Sequence, residues 1–121
     1  MKLLRSFGYA VAGILIVFKE QLNFKIHIIV LLAVVFAGFF LGIERWEWMA
    51  VILCFSSVLV TEMLNSAIEY LVDFISPEFH LQAGKIKDVA AGAVLLATLF
   101  SVLIGILIFG KYILEIFFKY I

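Results

Sequence analysis

Four polar side chains that could bind a metal or accept a proton are spaced along one segment of otherwise apolar sequence. They are Glu62, Asn65, Glu69 and Asp73, and they follow an apolar run over residues 49–61. At about 100° per residue, an α-helix places all four within about a quarter-turn of one another. We call this set the polar stripe, and its spacing predicts a helix that is apolar on its other faces.

The polar stripe contains the side chains that phosphoryl transfer requires. A carboxylate can accept the proton of an attacking hydroxyl group, and carboxylate oxygens are good Mg²⁺ ligands. Glu62, which is deeper in the apolar segment, is the candidate base, and Glu69 is the candidate metal ligand. Lys87 could bind a phosphate as a point charge. The pattern by itself leaves three alternatives open: catalysis, an ion path, and hydrogen bonding between packed helices.

The composition predicts an integral membrane protein. Of 121 residues, 66% are hydrophobic and 15% are charged, and the mean hydropathy is +1.23. A soluble domain is about 45–50% apolar, and a chain this short could not bury so much apolar surface. The formal net charge is zero, which argues against a nucleic-acid partner.

The order of apolar and polar segments predicts an all-α membrane protein with one domain, residues 1–121. The apolar spacing over about 2–20 is helical and is interrupted by charges, which indicates an amphipathic helix on the membrane surface. Three spanning helices follow, at about 26–43, 48–75 and 89–110. A polar loop is expected over 78–88, and a short tail over 111–121.

The basic residues and the helical rise predict where the polar stripe lies. Six basic residues belong to the N-terminal segment and the second loop, and three lie on the opposite side (Lys2, Arg5, Lys19, Lys25, Lys85 and Lys87, against Arg45, Lys111 and Lys119). This bias places the N-terminus and the second loop in the cytoplasm. Counted from Trp46 at the outer boundary, Glu62 lies roughly 24 Å across a core of about 30 Å. The stripe therefore runs from the inner edge of the hydrocarbon to the cytoplasmic headgroups.

Two motifs in the chain resemble a known family. The stretch from Glu62 to Asp73 is similar to the signature E-x-L-N-[ST]-A-I-E-x-x-V-D of the small prokaryotic diacylglycerol kinases, which include undecaprenol kinases. The stretch from Lys87 to Val94 resembles the K-D-x-x-A-G-A-V block of that family, and Asn23 to His27 resembles its N-F-x-x-H block.

The resemblance implies an ATP-dependent lipid kinase with Mg²⁺ as cofactor, working as a homotrimer in the bacterial inner (cytoplasmic) membrane with its active site facing the cytoplasm. The implied reaction converts diacylglycerol to phosphatidic acid, with undecaprenol as the alternative lipid and a small transporter or assembly subunit as the non-enzymatic alternative. Carried over by motif, the residues fall into four groups: catalytic, Glu62 and Asn65; metal-binding, Glu69 with Gln21 and Glu20; ATP-binding, Tyr9, Glu69, Glu78, His80, Lys87 and Asp88; and lipid-binding, Glu62 and Ala91.

One position departs from the family pattern. Members commonly have Glu, as a second metal ligand, two residues before the Asn of the N-F-x-x-H block, and this chain has Gln21 there, preceded by Glu20. A neutral amide oxygen is a weaker Mg²⁺ ligand than a carboxylate. Three alternatives remain open: Glu20 replaces it through a small helix rotation, fewer carboxylates hold the metal, or activity is reduced.

Overall fold

The computed structural model describes all 121 residues and consists of four helices. They are α1 (Lys2–Glu20), α2 (Leu22–Leu41), α3 (Arg45–Ile75) and α4 (Leu81–Tyr120). The prediction of an all-helical chain is therefore confirmed. The helix that carries the polar stripe is α3.

Three of the helices, α2, α3 and α4, are long and apolar enough to cross a membrane. With 40 residues, α4 is roughly 60 Å long, about twice the thickness of a hydrocarbon core. Its start differs from our expectation, because the predicted loop over 78–88 ends at residue 80. The His80 side chain accepts a hydrogen bond from the backbone N–H of Gln82 at 3.1 Å, and this N-cap starts the helix earlier. The helix also continues through 111–120, where we expected a tail.

Each break between helices has a local cause. Gln21 is extended (φ −103°, ψ 110°) and separates α1 from α2. Gly42, at φ +66°, ends α2 in the left-handed conformation that glycine adopts without strain. A reciprocal capping box between Glu44 and Glu47 starts α3, and Pro77, which disfavours a helical residue before it, follows the end of that helix.

The helices pack mainly through α3, which contacts α4 most extensively and α2 to a lesser degree, while α1 touches both α2 and α3. Only 12 of the 121 residues are buried. Most large apolar side chains therefore face outward, as they do in a protein whose surroundings are hydrocarbon rather than water.

A buried ionic cluster ties α3 to α4 at the end opposite the polar stripe. The Glu47 side chain is 0% exposed, and its carboxylate accepts hydrogen bonds from the Tyr112 hydroxyl and from the backbone N–H of Glu44. The Lys111 Nζ lies 3.0 Å from Glu47 Oε2. The contacts fix the position of α4 relative to the start of α3, because an unpaired buried carboxylate would be costly.

Candidate active site

The polar stripe lies on α3, where the helical spacing predicted it. Glu62 and Ser66 are buried at 3% and 1% exposure, whereas Glu69 is half-buried and Asp73 is exposed. Burial therefore falls along the stripe from Glu62 toward the end of α3. This gradient suits a site at which an apolar substrate and a water-soluble substrate meet.

The Glu62 carboxyl group faces α2 across the helix interface. Asn23 and His27 of α2, together with Glu69 of its own helix, lie near enough to this carboxyl group to interact with it. Glu62 Oε2 is buried and has no hydrogen-bond partner. Buried polar atoms are rarely left unpaired, so this oxygen is available to accept a proton from a substrate hydroxyl group.

Asn65 and Glu69 lie one turn apart and contact each other. The Asn65 side-chain amide donates to Glu69 Oε1 at 3.3 Å, while Asn65 Oδ1 is buried without a partner. This contact holds the Glu69 carboxylate on the stripe and leaves its second oxygen free. One further contact, from the Ser66 hydroxyl to the backbone carbonyl of Glu62 at 2.9 Å, is a hydrogen bond within the helix.

The junction between α1 and α2 brings Glu20 and Gln21 to the stripe through Tyr70. The Tyr70 hydroxyl donates to Glu20 Oε2 at 2.5 Å and accepts from Gln21 Nε2 at 3.2 Å. Sequence reasoning missed Tyr70 because the family signature leaves that position unspecified. A signal was nevertheless present, since Tyr70 directly follows Glu69 and flanks the stripe on a helical projection.

Lys87 of α4 forms an ion pair with Asp73 of α3. The pair joins the exposed end of the stripe to the first turns of α4. It places a lysine ammonium group at the wet end of the stripe, where a phosphate could be bound. Both side chains are partly exposed, at 38% and 62%, so the ion pair itself stabilises the fold only weakly.

The other predicted ATP- and lipid-binding residues are not gathered around the stripe within one chain. Tyr9 is 76% exposed on α1, and Glu78, His80, Asp88 and Ala91 are also exposed. None of these side chains hydrogen-bonds a stripe residue. Asp88 instead lines a surface groove with Lys85.

A second groove, of about 530 Å³, lies between α3 and α4 beside the stripe. Its walls include Asn65, Thr61 and Leu64 from α3 and Lys85 and Ala93 from α4. Its lining is mainly apolar, and Ala91, predicted to contact lipid, lies outside it.

The oxygen atoms of the stripe are suited to Mg²⁺. Within the chain, no three His, Cys, Asp or Glu side chains converge in a way that could hold a metal. Mg²⁺ commonly binds one or two carboxylates and takes its remaining ligands from nucleotide phosphates and water. Glu69 and Glu20, which both lie near Tyr70, fit that pattern.

Three helices long enough and apolar enough to cross a membrane, one of which carries the buried Glu62 and the less buried Glu69 and Asp73, indicate an integral membrane protein with a polar site toward the end of α3. The chain belongs to the prokaryotic diacylglycerol kinase family, whose model matches residues 8–109. The family membership decides among the three alternatives in favour of catalysis. The chain is therefore a lipid kinase, with ATP as its co-substrate.

The relatives of known name fall into two substrate groups. The undecaprenol kinase of Bacillus subtilis is 38% identical over 105 residues, which cover 87% of this chain and 85% of that protein. The diacylglycerol kinase of Synechocystis sp. is 40% identical over 104 residues, 85% of this chain and 59% of that protein. The diacylglycerol kinase of Helicobacter pylori is 35% identical over 119 residues, 98% of this chain and 89% of that protein.

Proposed function

We propose that this lipid kinase transfers the γ-phosphoryl group of ATP to the hydroxyl group of diacylglycerol and so forms phosphatidic acid. The observation that supports the site is the buried Glu62 carboxyl group, which has an unpartnered oxygen within an apolar helix bundle. Relatives named diacylglycerol kinase that align over most of this chain support the choice of lipid.

In the proposed reaction Glu62 is the general base. Its carboxylate accepts the proton of the lipid hydroxyl group as that oxygen forms a bond to the γ-phosphorus. The bond from the γ-phosphorus to the bridging oxygen breaks, and ADP leaves. Asn65 orients the Glu69 carboxylate through the 3.3 Å contact, and the buried Asn65 Oδ1 can accept from the substrate.

Mg²⁺ and the positive groups of α4 complete the proposed nucleotide site. Glu69 would hold the ion together with Glu20 or Gln21, and Mg²⁺ would neutralise the charge on the transferring phosphoryl group. Lys87 leaves its ion pair with Asp73 and binds a phosphate group of ATP instead. The rest of ATP is contacted by Asp88, Glu78, His80 and Tyr9.

We further propose that the active unit is a homotrimer in the bacterial cytoplasmic membrane, with α1 lying on the membrane surface. Within one chain no hydrogen bond joins the side chain of Tyr9, Glu78 or His80 to the polar stripe, which supports a site completed by a second copy. The six basic residues of the N-terminal segment and of the region around the start of α4 support a cytoplasmic location for that site.

Undecaprenol is the second candidate lipid. The 38% identity to the Bacillus subtilis undecaprenol kinase extends over most of both chains, and it favours this alternative as specifically as the other relatives favour diacylglycerol.

A parallel assay tests the reaction and the substrate together. The purified protein in mixed micelles is given MgATP labelled in the γ-phosphate, with diacylglycerol in one reaction and undecaprenol in the other. We expect diacylglycerol to be labelled, as phosphatidic acid, at a higher rate than undecaprenol. Faster labelling of undecaprenol would establish the second candidate, and labelling of neither lipid would contradict the proposed reaction.

A further inference from the structure

Tyr70 makes a bridge that no other tyrosine in the chain makes. It lies on α3 next to Glu69, and its hydroxyl group contacts two consecutive residues at the α1–α2 junction. It donates to Glu20 Oε2 at 2.5 Å and accepts from Gln21 Nε2 at 3.2 Å. The Tyr70 hydroxyl group thus fixes both the Glu20 carboxylate and the side-chain amide of the next residue, Gln21.

The direction of the two hydrogen bonds decides which atoms remain available. The Tyr70 hydroxyl uses Oε2 of Glu20, which leaves Oε1 without a hydrogen bond. The Gln21 amide uses its nitrogen, which leaves its carbonyl oxygen likewise free. Both free atoms are oxygens, the ligand type that Mg²⁺ prefers, and Glu69 is near enough to Tyr70 to interact with it electrostatically.

We propose that Tyr70 is a positioning residue that holds Glu20 as the second carboxylate of the Mg²⁺–ATP site. The inference rests on the proposed function. It accounts for the neutral Gln21 at the position where family members commonly have a carboxylate, because the negative charge is supplied by the preceding residue. In this arrangement Gln21 supports the bridge through its amide nitrogen, and Tyr70 itself does not touch the metal.

A second observation points to a ligand at this place. Glu62 is only 3% exposed. It has an unpartnered carboxylate oxygen and lies near Glu69. Two acidic side chains, Glu20 and Glu69, therefore lie near Tyr70, and the buried Glu62 lies near Glu69. Such an arrangement is stabilised when a cation or a substrate proton is shared among the carboxylates.

The test measures metal binding without turnover. Mn²⁺, as a paramagnetic replacement for Mg²⁺, is titrated into the wild-type protein in micelles with the methylene analogue of ATP, and bound Mn²⁺ is measured by electron paramagnetic resonance. In the Tyr70→Phe variant we expect about tenfold weaker Mn²⁺ binding, the size typical of losing a partner that orients a metal ligand. The matched control is Tyr120→Phe, which removes the same atom at an exposed terminal position and should bind Mn²⁺ like the wild type.

Two further variants separate positioning from a merely structural contact. Because Tyr70 acts through Glu20, Tyr70→Phe should add little to the loss caused by Glu20→Gln. Gln21→Glu in the Tyr70→Phe background should restore Mn²⁺ binding, since it supplies a carboxylate independent of the bridge. Unchanged Mn²⁺ binding in Tyr70→Phe would overturn the proposal, even if thermal stability fell, and so would additive losses or failure of Gln21→Glu to restore binding.

The two proposals can fail separately. A wild-type protein that binds Mn²⁺ with the nucleotide analogue but phosphorylates neither lipid would contradict the proposed reaction and leave the role of Tyr70 intact. A wild-type protein that phosphorylates lipid but shows the same Mn²⁺ binding with Phe at position 70 would contradict only the role of Tyr70. A wild-type protein that binds no Mn²⁺ overturns the role of Tyr70, whatever the lipid assay shows.

Discussion

At the scale of single residues, two side chains of the polar stripe with the same chemistry differ in how deeply they are buried. Glu62 and Glu69 have the same functional group, and they differ in surroundings. The buried Glu62 has an unpartnered oxygen, whereas Glu69 is half-buried and held by Asn65. The first environment favours proton transfer and the second favours binding of a hydrated cation, because only the second is reached by water.

Replacing Glu62, the proposed base, should stop turnover with little effect on folding. We expect Glu62→Gln to lower kcat by at least about 100-fold, the usual size of a lost general base, because the amide keeps the shape of the side chain but cannot accept the proton. The measurement is lipid phosphorylation in mixed micelles, with thermal unfolding as the check on the fold. Glu115→Gln, on the exposed end of α4, is the matched control and should retain full turnover. Turnover within tenfold of wild type in Glu62→Gln would show that another group is the base.

The phosphate-binding role proposed for Lys87 gives a second prediction at this scale. Lys87→Met removes the ammonium group and keeps much of the apolar stem, so we expect a higher KM for ATP with a smaller change in KM for lipid. A loss on the order of tenfold in ATP affinity corresponds to about 1.4 kcal/mol, the size of one charge-assisted hydrogen bond. An equal rise in KM for both substrates in Lys87→Met would argue against this role. The Asp73→Asn variant removes the partner of the ion pair and leaves the Lys87 ammonium group in place.

At the scale of helices, two close contacts set the position of α3. One is an approach to Gly38 of α2, where a Cβ atom would lie 2.5 Å from the Trp48 ring. Trp48 is itself packed against Phe39, with ring centroids 4.8 Å apart. The aromatic ring therefore occupies the space above a glycine, and the two helices can come together only because a hydrogen atom stands where other residues have a side chain.

Adding a methyl group at this contact should destabilise the fold. We expect Gly38→Ala to lower the free energy of unfolding by about 1–3 kcal/mol, the usual cost of overpacking, because the Trp48 ring must move away from Phe39. Gly110→Ala is the control, since a Cβ there meets nothing within 4 Å and alanine favours the helix. Unfolding in detergent micelles measures both, and equal stability of the two variants would contradict the contact.

The second contact is the buried ionic cluster around Glu47, which ties the start of α3 to α4. Removing only the cation leaves the buried carboxylate with less compensation, so Lys111→Met should lower the melting temperature more than Lys119→Met at the exposed terminus. Removing both charges, in Glu47→Gln with Lys111→Met, should recover part of the loss. A double variant less stable than Lys111→Met alone would show that the carboxylate stabilises the fold through Tyr112 and Glu44 rather than through the lysine.

At the scale of the whole molecule, the two clusters lie at opposite ends of the α3–α4 pair. The Lys87–Asp73 pair and the Lys111–Glu47 pair are separated by 24 residues of α4, which is roughly 36 Å of helix. That length matches a hydrocarbon core of about 30 Å with part of the headgroup region on each side. In the proposed arrangement, the end with the polar stripe is the catalytic end, the end with the Glu47 cluster is the structural end, and the membrane separates them.

The proposed orientation can be measured directly. In a Cys54→Ser background, single cysteines are placed at Glu78, near the catalytic end, and at Glu44, near the structural end. A membrane-impermeant maleimide added to intact cells should label Glu44→Cys, and Glu78→Cys should react only after the cells are opened. The reverse pattern would contradict a cytoplasmic active site.

The sequence by itself determined the class of protein, the membrane helices and the residues of the polar stripe. Apolar runs of about 20 residues require a hydrocarbon environment, and a 3.6-residue period places Glu62, Asn65 and Glu69 on one face wherever the helix lies. Its local reading failed between residues 81 and 88, where polar side chains suggested a loop. A capped helix begins there instead, because polar composition does not prevent helix formation outside the hydrocarbon.

Only the tertiary structure decided which groups meet across helices. The hydrogen bonds that join Tyr70 to Glu20 and Gln21, 50 and 49 residues away in sequence, depend on the angles between α1, α2 and α3. The burial of Glu47 depends in the same way on Lys111 and Tyr112, which lie about 65 residues further along the chain. A helical period fixes the face on which a residue lies, but the partner on the neighbouring helix is set by the register and crossing of packed helices.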